Sequence, residues 1–235
     1  MNKELIKHRF RAVPRKWRRL LEVMGISLIG MCAVYGILLL AFPQVLERGS
    51  DAGVQSSPAP QEVRQTPLNV VAPDWVTKDL LTPNEYSRPQ TPLTTVNGIV
   101  VHYVGNPDTT ATANRNYFEQ LATTQDTYAS SHFVVGLEGE IIQCIPLNEI
   151  AYCSNDRNSD TISIECCHPD AKGQFNDQTY ASLIRLVDWL CDTYGLDPGT
   201  DVIRHYDVTG KECPKYYVDH PEAWTQFLAD LAGAP

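Results

Sequence analysis

Val23 to Phe42 (VMGISLIGMCAVYGILLLAF) is a run of twenty residues without a charge, preceded by Arg15, Lys16, Arg18 and Arg19 and closed by Pro43. A helix rises 1.5 Å per residue, so this run spans about 30 Å, the thickness of a bilayer's hydrocarbon core. The apolar region of a cleaved signal peptide is shorter, about 7–15 residues, and ends in a small-residue cleavage site. Neither condition is well met, so the run reads as an uncleaved signal anchor over residues 20–43. Lys and Arg stay on the cytoplasmic side of such an anchor. Residues 1–19 are therefore expected inside as a basic segment, and everything beyond about residue 44 outside. The competing readings are a buried core helix and late cleavage near Ala52. Cys32 follows Met31, which suits a lipoprotein signal poorly, and reads as a membrane-buried thiol.

Charge supports this division. Residues 1–19 carry eight Lys/Arg against Glu4, or +7, in a chain of net charge −9, which leaves −16 for the remainder. So acidic a bulk excludes nucleic acid as the expected partner, because binding a polyanion needs a basic surface. From residue 44 to 73 the chain is rich in Pro, Ser, Gln and Gly with no apolar period, the composition of a flexible linker. Residues 74–235 then form one domain of ordinary size.

Within that domain, β-branched and apolar runs predict strands at Gly98 to Val104, Thr161 to Cys167 and Val202 to His205. His132 to Gly136 and Glu140 to Ile145 flank Leu137-Glu138-Gly139 as a hairpin. Tyr180, Leu183, Ile184, Val187, Leu190, Cys191 and Tyr194 make a helical stripe, with Asn176 or Asp177 as cap and Gly195 as stop. Further helices are predicted near Thr112 to Ala122 and from Pro221 through Leu231. The fold class that follows is α/β, a small mixed β-sheet flanked by helices and preceded by one transmembrane helix.

Candidate chemistry gathers around Cys213, in the polar stretch Arg204-His205-Tyr206-Asp207-Val208-Thr209-Gly210-Lys211-Glu212-Cys213-Pro214 that follows a strand. His205 at the strand end and Cys213 eight residues later can converge on one metal ion, and His102, late in an apolar strand, offers a third ligand. Three protein ligands with one position open is the pattern of a catalytic rather than a structural zinc. The bland alternative leaves His102 and His205 as sheet histidines and Cys213 in a disulfide. Strand alternation puts Ile162, Ile164 and Cys166 on one face and Ser163, Glu165 and Cys167 on the other. A carboxylate among such neighbours either pairs with a structural cation or takes a proton from a metal-activated water. Lys211 stands two residues before Cys213, so in an extended loop both side chains point the same way and Lys211 can stabilise an oxyanion.

These blocks resemble the zinc-dependent N-acetylmuramoyl-L-alanine amidases, the family whose fold is shared with T7 lysozyme and the peptidoglycan recognition proteins, and look closest to its Gram-positive cell-wall and prophage members. The resemblance runs through Asn84-Glu85-Tyr86-Ser87-Arg88-Pro89, Gly98-Ile99-Val100-Val101-His102-Tyr103, Ser130-Ser131-His132-Phe133-Val134-Val135, Gly139 to Gln143, Thr161 to Cys167 and His205 to Pro214. It implies Zn²⁺ held by His102, His205 and Cys213, Glu165 as acid/base and Lys211 as the catalytic cation. The implied substrate is peptidoglycan, cut at the amide between N-acetylmuramic acid and L-alanine. Ser131 stands where phage-lysozyme-type relatives carry a Tyr, which favours the Glu165 mechanism. A binding module without catalysis and a zinc peptidase cutting within the stem peptide are the alternative functions.

Other residues are read more plainly. His132 touches substrate, supports the metal site, or satisfies a hydrogen bond in the sheet. His168 and His220 are expected at the surface or at a helix start, and Arg88 with Pro89 packs the N-terminal arm onto the domain. Cys191 is a packed thiol, Cys166-Cys167 and the pair Cys144 and Cys153 are candidate disulfides, and at least one outer cysteine must stay unpaired. Peptidoglycan and the membrane are the expected partners of a monomer. Its catalytic domain faces outward from the cell membrane of a Gram-positive-type bacterium.

Overall fold

The computed structural model describes residues 70–233. The expected basic segment, the expected anchor and most of the expected linker lie outside these residues. Among the described residues no helix is long and apolar enough to cross a membrane. Val70 and Ala72, at the end of the expected linker, pack against the domain's large core.

Among the described residues six strands form one sheet: β1 (Thr77–Lys78), β2 (Gly98–Tyr103), β3 (Phe133–Val135), β4 (Ile141–Gln143), β5 (Thr161–Cys166) and β6 (Val202–Arg204), in the order β1-β4-β3-β5-β2-β6. Only the β3–β4 hairpin is antiparallel. Its turn needs Gly139, which has φ +80° and sits where a Cβ would meet Ser182 Oγ at 2.8 Å. The helices are α1 (Ala111–Thr124), α2 (Asp177–Tyr194), α3 (Pro198–Asp201), α4 (His205–Thr209), α5 (Lys215–Asp219) and α6 (Pro221–Ala232), and a 3₁₀ turn covers Asn155–Ser159.

The α2 helix begins where its sequence says it should. Asn176 Oδ1 accepts from the Thr179 N–H at 2.8 Å, and Gly195 ends the helix with φ 64°. Its buried stripe, Leu183, Leu186, Val187, Leu190, Cys191 and Tyr194, joins Ile99, Val101, Ile162, Ile164 and Cys166 and the α6 residues Trp224, Phe227 and Leu231 in the larger core. A smaller core on the other side of the sheet gathers Val134, Ile142 and Cys144 against Phe118 of α1. Because both cores draw on the same strands, period-2 alternation leaves His102, Ser163 and Glu165 out of the larger one. Register then decides their spacing: β2 and β5 run parallel with His102 directly opposite Glu165.

Four sequence expectations need correction. His205 does not end a strand; β6 stops at Arg204 and His205 opens α4, whose N-terminus is tied by Arg204 N–H to Asp207 Oδ2 at 2.9 Å. The cysteines Cys144, Cys153, Cys166, Cys167, Cys191 and Cys213 are all free. Cys166 and Cys167 are successive residues that face opposite cores, and Cys144 is sealed in the smaller core while the Cys153 thiol reaches Glu165. His168 is buried rather than superficial, with Nδ1 2.6 Å from the Asp170 carbonyl and its ring against Tyr103 at 5.1 Å. Lys211 to Cys213 is not extended, since the Cys213 N–H donates to the Lys211 carbonyl at 2.7 Å in a tight turn. His220 is exposed at the start of α6, as expected.

Candidate metal centre and catalytic cleft

Parallel pairing of β2 with both β5 and β6 brings the C-terminal ends of three strands together, the place where open α/β sheets build their sites. His102 sits near the end of β2, Glu165 near the end of β5, and His205 just beyond β6. Cys213 is returned to this point by the chain after α4. Gly210 ends that helix in a left-handed conformation, φ 76°, and the Tyr206 N–H donates to the Cys213 carbonyl at 2.8 Å. The ligand atoms of His102, His205 and Cys213 consequently lie within 4.8 Å of one another, all three residues being buried. The imidazole centroids are 4.6 Å apart, and Cys213 Sγ is 3.8 Å from His102 Nδ1.

The outward nitrogens of both rings are already engaged. His102 Nε2 is 3.1 Å from Ser154 Oγ, and His205 Nε2 is 2.9 Å from Asn155 Oδ1. An amide oxygen only accepts, so His205 carries its proton on Nε2, and Nδ1 presents a lone pair. That Nδ1 is buried with no hydrogen-bond partner among the described residues. Two imidazole nitrogens and a thiol converging on one point, one of them orphaned, fit a zinc-type donor set. Burial pushes the proton affinity of both histidines down, helped for His102 by the His205 and Lys211 charges and for His205 by Lys211. Burial pushes the Cys213 thiol up to about 12, with the Glu165 charge adding to it.

Glu165 Oε1 accepts from the Cys153 thiol at 3.6 Å, and Oε2 is buried without a partner among the described residues. Burial raises its pKa to about 8, against smaller lowering by the Cys153 hydrogen bond and the Lys211 charge. Lys211 is exposed and lines the same cleft, a volume of about 520 Å³ bounded by His102, His205, Cys213, Glu165 and the aromatic residues Phe118, Tyr128 and Tyr152. A smaller hollow of about 240 Å³ at the β1 edge, lined by Val70, Val76, Leu80 and Leu147, contains none of these groups.

The structure thus brings His102, His205, Cys213, Glu165 and Lys211 to one cleft and leaves His132 outside it. His132 Nδ1 accepts from the Ser163 N–H at 3.0 Å, and Nε2 donates to the Glu149 carbonyl at 3.0 Å, so of its three readings the hydrogen bond within the sheet stands. Arg88 does pack the N-terminal arm: it pairs with both Glu149 oxygens at 2.8 Å and donates to the Leu81 carbonyl at 2.7 Å. Sequence reasoning missed Cys153, Ser154, Asn155 and the aromatic wall. The polar stretch Ser154-Asn155-Asp156 signals a turn, but nothing local tells which histidines it meets.

Residues 92–216, more than half of the chain, match the family described as N-acetylmuramoyl-L-alanine amidase. The chain belongs to that family. It is 34% identical over 164 residues to "N-acetylmuramoyl-L-alanine amidase BlyA" of Bacillus subtilis (strain 168), covering 61% of this chain and 43% of that protein. It is likewise 34% identical over 165 residues to "N-acetylmuramoyl-L-alanine amidase CwlL" of Bacillus licheniformis, covering 65% and 45%. The chain therefore spans less than half the length of these curated relatives. Among solved structures, "Structure of the catalytic domain of XlyA" aligns with a TM-score of 0.56 at 29% identity, over 66% of this chain and 98% of that one. This amidase-family chain thus carries the buried His102, His205 and Cys213 group and Glu165 inside the matched segment.

Proposed function

We propose that this chain is a peptidoglycan hydrolase that cleaves the amide between N-acetylmuramic acid and the L-alanine of the stem peptide. The observation that carries the reading is the placement of Glu165 directly across from His102 in a cleft that also holds His205, Cys213 and Lys211, in a chain of this family. His102 Nδ1, His205 Nδ1 and Cys213 Sγ would hold Zn²⁺. When bound, zinc supplies Lewis-acid polarisation of a carbonyl and lowers the pKa of water.

The chain's own residues supply the remainder. Glu165 Oε2, buried and unengaged, accepts a proton from the attacking water and returns it to the departing alanine nitrogen. Burial raises its pKa to about 8, and the positive charge of a bound Zn²⁺ would lower it toward the range in which the carboxylate is free to accept a proton. Lys211 contributes positive charge at the cleft and offsets the negative charge that develops on the carbonyl oxygen. Phe118, Tyr128 and Tyr152 give the cleft an apolar wall against which the substrate lies. In the intact molecule the domain is held outside the cell membrane by the segment 20–43, which confines its action to wall near that membrane. The support for this is the uncharged run Val23 to Phe42 behind a basic cluster.

Two variants test the site. Glu165→Gln is expected to keep bound zinc while turnover on purified wall falls about 10²–10⁴-fold, whereas Cys213→Ser is expected to lose or weaken zinc. Wild-type turnover by Glu165→Gln overturns the role given to Glu165. For the anchor, the full chain should sediment with membranes and resist extraction by high salt, and a soluble form truncated near Ala52 would overturn that reading.

A further inference from the structure

Three consecutive residues outside the ligand set each contact a different member of the site. Cys153 donates to Glu165 Oε1 at 3.6 Å, Ser154 Oγ lies 3.1 Å from His102 Nε2, and Asn155 Oδ1 lies 2.9 Å from His205 Nε2. We infer that Ser154 and Asn155 are positioning residues for the metal centre, Ser154 holding the orientation of the His102 ring and Asn155 holding both the orientation and the tautomer of His205, so that both Nδ1 atoms face the ion. The inference rests on the metal site proposed above.

The turn that carries them is itself built for rigidity. Asn158 Oδ1 accepts from two backbone donors at once, the N–H of Cys153 at 3.0 Å and of Ser154 at 2.6 Å. Upstream, the Ser130 N–H donates to the Tyr152 carbonyl at 3.0 Å, and the Tyr152 N–H donates to Ser130 Oγ at 3.0 Å. Downstream, Arg157 pairs with Asp160 at 2.7 Å, and Thr161 Oγ1 donates to the Arg157 carbonyl at 2.6 Å, which fastens the turn to the start of β5. Asn155 adopts φ 53°, the left-handed region, where Asn is the non-glycine residue most easily placed. The backbone is thus bent into a less populated conformation at the residue whose side chain meets His205.

The chemical consequence is specific. With Nε2–H held by Asn155, the His205 proton is kept off Nδ1, whose lone pair stays available to the ion. Removing such a partner of a metal-ligating histidine costs roughly 10–100-fold in metal affinity.

The test measures Zn²⁺ affinity of the full chain by competition with a chromophoric chelator, together with the absorption spectrum of the Co²⁺-substituted protein. Asn155→Gly keeps the left-handed backbone accessible and removes only the side chain. It and Ser154→Ala should each bind zinc about tenfold or more weakly, with an altered Co²⁺ spectrum and an unchanged melting temperature of the zinc-free protein. Asn155→Asp restores an acceptor and should bind at least as tightly as wild type. Wild-type affinity in Asn155→Gly, or a loss in Asn155→Asp equal to that in Asn155→Gly, overturns the inference. A wild-type chain that binds no zinc would overturn the metal site itself, a result distinguishable from both.

Discussion

His132 makes the stability of the domain fall in mild acid, by an amount its surroundings define. In the fold it is neutral: Nδ1 accepts from the Ser163 N–H and Nε2 donates to the Glu149 carbonyl, so a second ring proton would be driven against a donor. Burial takes its pKa from 6.5 down to about 4. Between these values the unfolded chain binds the proton and the folded one does not. Stability is therefore complete above pH 6.5 and is lost as pH falls toward 4. At pH 5 the loss comes to about 2 kcal/mol, and at pH 4 to about 3 kcal/mol. His102 and His205, whose proton affinities burial also lowers, act in the same direction, so the His132 share is isolated by comparison with His132→Asn. Urea unfolding followed by tryptophan fluorescence is suited to this, because Trp189 packs edge-on against Phe133, the neighbour of His132, at 6.5 Å. The variant should be less stable than wild type at pH 7.5 and should lose about 2 kcal/mol less between pH 7.5 and pH 5. Parallel pH dependence in the two proteins would refute the assignment of a buried neutral imidazole.

Three further outcomes follow from packing and capping. Gly98→Ala at the head of β2 would set a Cβ 2.7 Å from the Asp201 carbonyl oxygen, and should lower stability by about 1–3 kcal/mol in thermal unfolding. Arg88→Lys should not rescue Arg88→Ala, because the half-buried pair with Glu149 uses two parallel guanidinium donors and a third goes to Leu81; a double-mutant cycle with Glu149 checks this. Asn176→Ala removes the cap of α2 and should cost about 1 kcal/mol in urea unfolding while leaving zinc affinity unchanged.

Long-period features were legible in the sequence. The α2 stripe and its Asn176 and Gly195 ends appear as expected, and alternation in β5 separated Ile162 and Ile164 from Glu165. What alternation cannot supply is register, and the approach of Glu165 to His102 depends on parallel pairing that aligns Gly98 with Thr161. Short elements were missed for a related reason. The helices Pro198–Asp201 and Lys215–Asp219 span 4 and 5 residues, too few for a period to show, although Asp197 as N-cap before Pro198 was a readable start. His205 reads as a strand residue because Val202-Ile203 is β-branched, yet the side chain of Asp207 captures the Arg204 N–H and turns the chain into a helix. The Ser154 and Asn155 contacts span 52 and 50 residues, a separation that no local pattern encodes.

The central claim is the bond that is cut, and mass spectrometry of fragments released from purified peptidoglycan by the full chain, with and without a chelator, addresses it directly. The account predicts chelator-sensitive release of stem peptides with a free L-alanine amino terminus, leaving intact glycan strands. Fragments split within the stem peptide would assign the site to a peptidase. Wall binding by zinc-loaded protein without any released fragment would make it a binding module, and either result would contradict the account.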